Sequence, residues 1–426
     1  MSIRKWRRLV LRTLLRALLA VAEPALRALL WPANLWRARR APEPSRRVVF
    51  LVQHAYGQGG TIRTVLNCAG SLADRYDVAV VGLVRTRRTP AFPLPDGVAV
   101  SCLDDRVEPP SGLVRKVLSR VPSVLVPRGE ASRKHCSLWT DLLLLRFLRS
   151  LRGGVLITTR PSLNLAAAAF APPGVRTIGQ EHMNLGRHRA DVRARIARRY
   201  GRLDTVVTLT PTDLASYERE LPQVRELRCI PNAVPPLDGP PADPHAKVVV
   251  AAGRLVPQKG FDLLLAAWER AADGRPGWEL RVFGAGRLED ALRADIAARG
   301  LTGSAFLMGR TAAMGEELAR ASVYALSSRF EGMPLVLIEA MSKGLAVVAF
   351  DCPTGPREVM TDGDDGLLVP AKDVAAFASA LGRLMDDADL RIRLGRRAVE
   401  TVTRYAPSIV ADQWAALLDD QPRSSS

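Results

Sequence analysis

The chain is expected to fold as α/β, with parallel sheets covered by helices in two successive domains. Short apolar runs of strand length alternate with helical patterns along most of the sequence. The 426 residues, 47% of them hydrophobic, are enough for two domains with sizeable cores. A proline-rich stretch divides the alternation: six of the fifteen residues from Pro231 to His245 are proline.

The strand-like runs before that stretch are Val48–Gln53, Val78–Val84, Val155–Thr159, Val175–Gly179 and Thr205–Leu209. Those after it are Val248–Ala252, Glu279–Phe283, Val323–Ser327 and Leu345–Phe350. Most are continuously apolar, as expected of strands buried on both faces. The expected organisation is an arm over 1–45, a first domain over 46–232, a linker over 233–246 and a second domain over 247–403. A helix over 404–420, carrying Trp414 and expected by analogy to cross back to the first domain, and a short tail over 421–426 complete the chain.

The arm is strongly basic. Residues 1–47 hold twelve Lys/Arg and two Glu, a net of +10 out of the chain's +18. Arg4, Arg8, Arg12 and Arg16 recur every four residues, while Leu11, Leu14, Leu15, Leu18 and Leu19 fill the other side. No uninterrupted apolar stretch reaches the about 18–20 residues of a membrane-spanning helix. Arginines run through the would-be core of a signal peptide, and Pro24 interrupts it. A basic amphipathic helix lying on an anionic membrane surface through residues 1–40 is the reading favoured here. A helix packed on the protein's own body is the plain alternative.

So basic a chain raises the question of nucleic acid binding. No recognition-helix arrangement or zinc spacing is visible, and aromatics are only 5%, so a nucleic acid partner is not expected. The arginines of 187–202 read as the solvated or membrane-facing side of a helix. Five scattered cysteines (Cys68, Cys102, Cys136, Cys229 and Cys352) imply neither a disulfide framework nor a zinc site. With no cleavable signal apparent, a reducing, cytoplasmic setting is expected, peripheral on the inner face of the membrane.

The segment with most chemistry runs from Glu331 to Glu339. Gly332, Met333 and Pro334 lead from a loop carboxylate into an apolar helix that contains one acid, Glu339. Pro334 suits the first helical position. The N–H groups of Gly332, Met333 and Leu335 are then available to an anion, helped by the helix dipole. Glu339 lies about two turns further in, roughly 10–12 Å from Glu331. That spacing suits a ligand with a hydroxylated group at each end and phosphate between, which is the shape of a nucleotide-sugar. The bland reading of Glu339 is a solvated helix position. Its neighbours Val336, Leu337, Ile338, Ala340 and Met341 leave no polar stripe for it, so a partner is required.

A second segment, Gly253-Arg254 with Lys259-Gly260, follows the Val248–Ala252 run. The loop after such a strand is where open α/β sheets bind ligands. Arg254 can grip two phosphate oxygens, and Lys259 serves as a point charge. Solvated bases are the alternative in an arginine-rich chain.

These stretches resemble glycosyltransferase family 4, the retaining enzymes with the GT-B fold: two Rossmann-like domains with parallel sheets facing across a cleft. The resemblance rests on Gly253-Arg254, Lys259-Gly260, the Glu331–Glu339 pair, Asp351-Cys352-Pro353-Thr354-Gly355-Pro356-Arg357-Glu358, Asp362-Gly363 and Gly366-Leu367-Leu368-Val369. It is specific over about 247–370. In the first half it is weaker, resting on Gly59-Gly60 and Ile230-Pro231-Asn232. It does not reach residues 1–45.

The resemblance implies that Arg254 and Lys259 hold a donor diphosphate, Glu331 the donor sugar and Glu339 the ribose hydroxyls. It also implies that Gly59 and Gly60 approach the phosphate end of the donor and the acceptor. Gly309 and Arg310 join the donor-binding set. His182, in Gln180-Glu181-His182-Met183-Asn184 after a strand, is placed near the donor sugar, and Asn184 near the acceptor. His135 and His188 read as structural. The expected catalytic set is Glu331, His182, Arg254 and Lys259.

The implied function is transfer of a hexose or N-acetylhexosamine from a nucleotide-sugar, UDP-linked on family grounds, with retention. The acceptor would be a membrane-associated glycan, lipid-linked saccharide or cell-wall polymer. No metal or other cofactor is expected. Two rivals stand beside it: a sugar-nucleotide epimerase of the same fold, and a non-catalytic nucleotide-sugar-binding protein at the membrane.

Overall fold

The computed structural model describes residues 46–109 and 111–420. The amphipathic arm expected at 1–45 and the tail at 421–426 lie outside these residues. The chain divides into two compact units. One holds residues 46–208, Leu214–Arg228 and 418–420; the other holds Leu209–Asp213 and Cys229–Leu417. The final helix, Pro407–Asp419, has its last two residues in the first unit.

The first unit carries a seven-stranded sheet: β1 (Arg47–Val52), β2 (Asp77–Arg85), β3 (Ala99–Asp105), β4 (Val155–Thr158), β5 (Arg176–Gln180), β6 (Thr205–Thr208) and β7 (Leu227–Cys229). Their spatial order is β3-β2-β1-β4-β5-β6-β7, and β1 to β6 pair in parallel. The second unit carries six strands: β8 (Val248–Ala252), β9 (Glu279–Phe283), β10 (Ala305–Gly309), β11 (Val323–Leu326), β12 (Ala346–Asp351) and β13 (Leu367–Pro370). Their order is β10-β9-β8-β11-β12-β13, parallel throughout.

Both orders are those of a doubly wound sheet. The winding reverses between β1 and β4 in one unit and between β8 and β11 in the other. Loops leaving the carboxyl ends at such a reversal splay apart and leave a crevice for ligand.

Successive side chains on the central strands enter opposite cores. In β8, Val249 and Ala251 pack with Trp268 and Phe377 on one face. Val250 and Ala252 pack with Leu337 and Met341 on the other. The helices around 261–272 and 335–342 thus cover the two faces of one sheet.

Every strand expected from the sequence forms, within a residue or two at each end. Four strands were not anticipated: β3, β7, β10 and β13. These are the four sheet edges. Their side chains alternate between partial exposure and burial, or the strand is only three residues long. An edge strand lacks the continuous apolar run that marks a central one.

The proline-rich stretch forms no regular element and lies along the second unit. Lys343 Nζ donates to the carbonyls of Asp238 (2.8 Å), Gly239 (2.7 Å) and Pro240 (3.2 Å). Val234 N–H donates to the Tyr405 carbonyl at 2.9 Å. Among the described residues no helix is long and apolar enough to cross a membrane.

Candidate functional site

In the second unit the crevice between β8 and β11 gathers most of the expected residues. β8 runs into Gly253, whose missing side chain leaves room for the Lys259 stem; a Cβ there would sit 3.0 Å from Lys259 Cε. A 3₁₀ turn over Pro257–Lys259 then folds the lysine back. Gly260 ends that turn at φ 64°, and a Cβ on it would meet the Ser327 carbonyl oxygen at 2.1 Å. Only glycine fits both the dihedral and the space.

The loop is stitched to the one leaving β11. Ser327 Oγ donates to the Lys259 carbonyl at 3.0 Å. Arg329 N–H donates to the Gln258 carbonyl at 2.8 Å, and Gln258 Nε2 to the Phe330 carbonyl at 3.1 Å. With both loops fixed, Lys259 Nζ lies 2.6 Å from Glu331 Oε1. Ser328 Oγ donates to the same oxygen at 2.5 Å. Glu331 is held from its backbone too: its N–H donates to the Pro353 carbonyl, and its carbonyl accepts from Thr354 N–H. Gly355 allows that approach, since a Cβ on it would lie 2.1 Å from the Gly332 oxygen. The Asp351–Glu358 segment therefore acts as a brace for Glu331.

Pro334 occupies the N-cap, not the first helical position expected of it; the helix is Leu335–Ser342. The proline's φ of −79° would suit a helix, but its ψ of 92° is extended. Its carbonyl already accepts from Leu337 N–H at 3.0 Å, as an N-cap carbonyl should. Met333 is buried, and its sulfur accepts the Asn232 N–H at 3.2 Å. Ile230-Pro231-Asn232 is thereby joined to the helix entrance.

Glu339 is 3% exposed on the inner side of this helix. A buried carboxylate there is not a solvated helix position. Tyr324, in the middle of β11, is fully enclosed and donates to the Ala252 carbonyl at 3.4 Å. Its hydroxyl is raised well above the usual range, first by burial and then by the charges of Glu339 and Glu331. The tyrosine thus feels both acids. Burial, followed by the Glu331 charge, likewise pushes the Cys352 thiol up to about 12, which leaves it an inert core residue.

Gly253, Gly284 and Gly309 close the carboxyl ends of β8, β9 and β10. Gly284 N–H donates to the Gly309 carbonyl at 2.6 Å. A Cβ on Gly284 would lie 1.8 Å from the Gly253 oxygen. Arg254 and Arg310 follow two of these glycines, and both are exposed at that edge.

In the first unit, β1 leads through His54 to Gly59, the N-cap of the Gly60–Leu72 helix. Gly59 has φ 151°, and a Cβ on it would meet nothing within 4 Å, so the backbone is open there. His54 Nδ1 donates to the Val84 carbonyl at 3.1 Å, and its ring stands edge-on to His135 with centroids 5.4 Å apart.

β5 leads to Glu181 and His182. Glu181 is 3% exposed. Its Oε1 accepts from Asn164 Nδ2 at 2.8 Å and from the Tyr200 hydroxyl, while Oε2 lies 3.6 Å from His188 Nε2. This buried network fixes the start of the 181–188 loop. His182 Nε2 is buried and has no hydrogen-bond partner among the described residues. Burial, then the charge of Arg160, lowers its pKa to about 4. His182 is therefore a neutral imidazole at pH 7, able to pass or accept a hydrogen bond but not to supply a positive charge. Asn184 is half-buried and opens the 3₁₀ turn Leu185–Arg187.

Sequence reasoning did not single out Tyr324, Glu181 or His54. Each sits at or within a strand, and only the strand order reveals what it approaches. Among the described residues no group of three or more His, Cys, Asp or Glu side chains is arranged to hold a metal ion.

Residues 246–387 match the family described as glycosyl transferases group 1. An exopolysaccharide phosphotransferase of Streptomyces coelicolor is 37% identical over 386 residues, covering 88% of this chain and 41% of its own. The amylovoran biosynthesis glycosyltransferase AmsD of Erwinia amylovora is 33% identical over 171 residues, covering 40% of this chain and 48% of its own. The matches thus span less than half the length of either relative. Among solved structures, Staphylococcus aureus TarM in complex with UDP superposes with a TM-score of 0.70 at 15% identity, covering 88% of this chain and 100% of that one. The pneumococcal O-GlcNAc transferase GtfA gives 0.69 at 14% identity, covering 88% and 99%. The fold is the GT-B architecture shared with these solved structures. The segment carrying Lys259, Glu331 and Glu339 matches the group 1 family, and the chain resembles proteins named for cell-surface polysaccharide synthesis.

Proposed function

We propose that the protein is a retaining glycosyltransferase of family 4 type, moving a hexose or N-acetylhexosamine from a UDP-sugar to a membrane-associated glycan, lipid-linked saccharide or cell-wall polymer. The observation that carries this is the Lys259–Glu331 pair, braced at the crevice of a doubly wound sheet, with a second acid buried one helix further on. The UDP-bound complexes of the structural relatives and the surface-polymer names of the sequence relatives support the donor and acceptor classes.

The difficult step is breaking the bond between the anomeric carbon and the diphosphate. Negative charge grows on the leaving oxygen and positive charge on the sugar. Lys259, Arg254 and the N–H groups entering the Leu335–Ser342 helix stabilise the first. Glu331 positions the sugar beside the second, and Glu339 takes the ribose hydroxyls. Gly253, Gly309 and Arg310 form the floor for the diphosphate, and Gly59 and Gly60 of the first unit, with the backbone open at Gly59, bind the donor. His182, neutral, hydrogen-bonds a sugar hydroxyl, and Asn184 contacts the acceptor. No metal is assigned a role. Residues 1–40 hold the enzyme on the cytoplasmic face of the membrane.

The name of the Streptomyces relative favours a second reading, transfer of a sugar phosphate. The two differ in by-product: glycosyl transfer from a UDP-sugar releases UDP, sugar-phosphate transfer releases UMP. A panel of nucleotide-sugars incubated without acceptor, then with membrane extract, tests both. Release of UDP from one donor supports the proposal. Release of UMP, or interconversion of the sugar with no nucleotide released, rejects it.

A further inference from the structure

We infer that the first unit carries its own contact surface for an anionic lipid bilayer, formed by the helix Leu113–Arg120 and the basic pocket at its end. This deepens the membrane-surface reading given above but rests on different residues from the arm at 1–40.

The helix buries none of its residues. Leu113, Val114 and Val117 are 78%, 66% and 51% exposed. They sit at i, i+1 and i+4, so they share one face. Three adjacent exposed aliphatic side chains on one short helix are unusual on a water-facing surface. The helix is nevertheless anchored. Arg115 Nη2 donates to the buried Asp104 at 3.1 Å and also to the Asp105 carbonyl, at the end of β3. The apolar face is thus presented on a fixed support.

Charge identifies the occupant. Lys116 and Arg120 flank the apolar face and are exposed. Beyond the helix lies a cavity of about 510 Å³ lined by Arg120, Arg128, Arg133 and Lys134. The one carboxylate among the lining residues, Glu130, accepts from Arg160, Ser132 and Ser162 through a single oxygen. Among the described residues no carboxylate pairs with Lys116, Arg120, Arg128 or Lys134. Four bases against one carboxylate leave the lining with an excess of positive charge. Apolar side chains rimmed by uncompensated bases match the interface of an anionic membrane, with acyl chains meeting the aliphatic face and headgroup phosphates meeting the bases. The arm at 1–47 carries twelve bases and two acids and would be repelled by this face. A soluble phosphate would occupy the pocket without using the apolar residues.

Hydrogen exchange read by mass spectrometry on the full chain tests this. Vesicles of phosphatidylglycerol and phosphatidylcholine are expected to slow exchange at 113–120, and phosphatidylcholine alone is not. The doubly substituted Leu113→Glu/Val117→Glu chain should keep its melting temperature, because both side chains are exposed, and should lose at least about tenfold in vesicle partitioning. Unchanged exchange at 113–120 on anionic vesicles overturns the inference even if the chain still floats through its arm. So does equal protection by inorganic phosphate alone. A rise in exchange at 113–120 without lipid in a chain lacking residues 1–40 would assign the face to the arm instead.

Discussion

Lys259 and Glu331, 72 positions apart, meet at 2.6 Å as a nearly buried ion pair. The pair gives the crevice a cation held in place without ligand. An incoming diphosphate would share that ammonium with the carboxylate, and Glu331 would remain beside the sugar.

Lys259→Ala is expected to lower kcat/KM by about 10²–10³-fold, the usual cost of removing one preorganised charge-stabilising group. It also strands the Glu331 carboxylate, which should cost about 1–3 kcal/mol of stability. Adding Glu331→Gln should recover the stability but not the activity. Urea unfolding and donor turnover on the same preparations check both halves. Wild-type turnover in the single variant would remove the diphosphate role.

Glu339→Ala should act mainly on nucleotide binding. Loss of a charged hydrogen-bond acceptor for the ribose predicts about 10–100-fold weaker UDP affinity. Titration calorimetry with UDP measures this directly, and an unchanged Kd counts against the assignment.

Gly260→Ala probes the loop that aims Lys259. The new Cβ would collide with the Ser327 carbonyl at a left-handed φ, and the expected loss is about 2–3 kcal/mol together with most of the activity. Unaltered stability would show that the 257–260 turn is not fixed as described.

His182 makes stability depend on pH. Its folded pKa of about 4 lies below the ordinary 6.5, so folding favours the neutral ring. That contribution is complete above pH 6.5 and is lost as pH falls from 6.5 towards 4, amounting to at most about 3 kcal/mol. Urea midpoints from pH 4 to 8 should show the slope in the wild type and a shallower one in His182→Asn. Identical profiles would refute the lowered pKa of this ring.

Deleting residues 1–40 should lower the fraction of protein that co-floats with anionic liposomes at low salt. Undiminished flotation would remove the arm from membrane attachment and leave the task to other surfaces.

The central strands were legible because each is covered on both faces and so reads as an unbroken apolar run. β8, from Val248 to Ala252, is an example. The edge strands β3, β7, β10 and β13 were not, because their side chains are only partly covered. Glu339 could be marked from sequence by its all-apolar neighbours. The one-residue displacement of Pro334 to the N-cap was not readable. Proline's φ suits both positions, and its ψ is set by the chain around it.

Sequence alone determined that there are two parallel α/β units, and which short segments carry charge at the ends of central strands. These are local properties of neighbouring residues. Tertiary structure alone decided that Lys259 is paired with Glu331, that Tyr324 lies under the influence of both acids, and that His182 is a neutral imidazole with its Nε2 enclosed. Each of those depends on strand order, which brings together residues far apart in the chain, and on burial, which converts an ordinary titrating group into one of fixed charge.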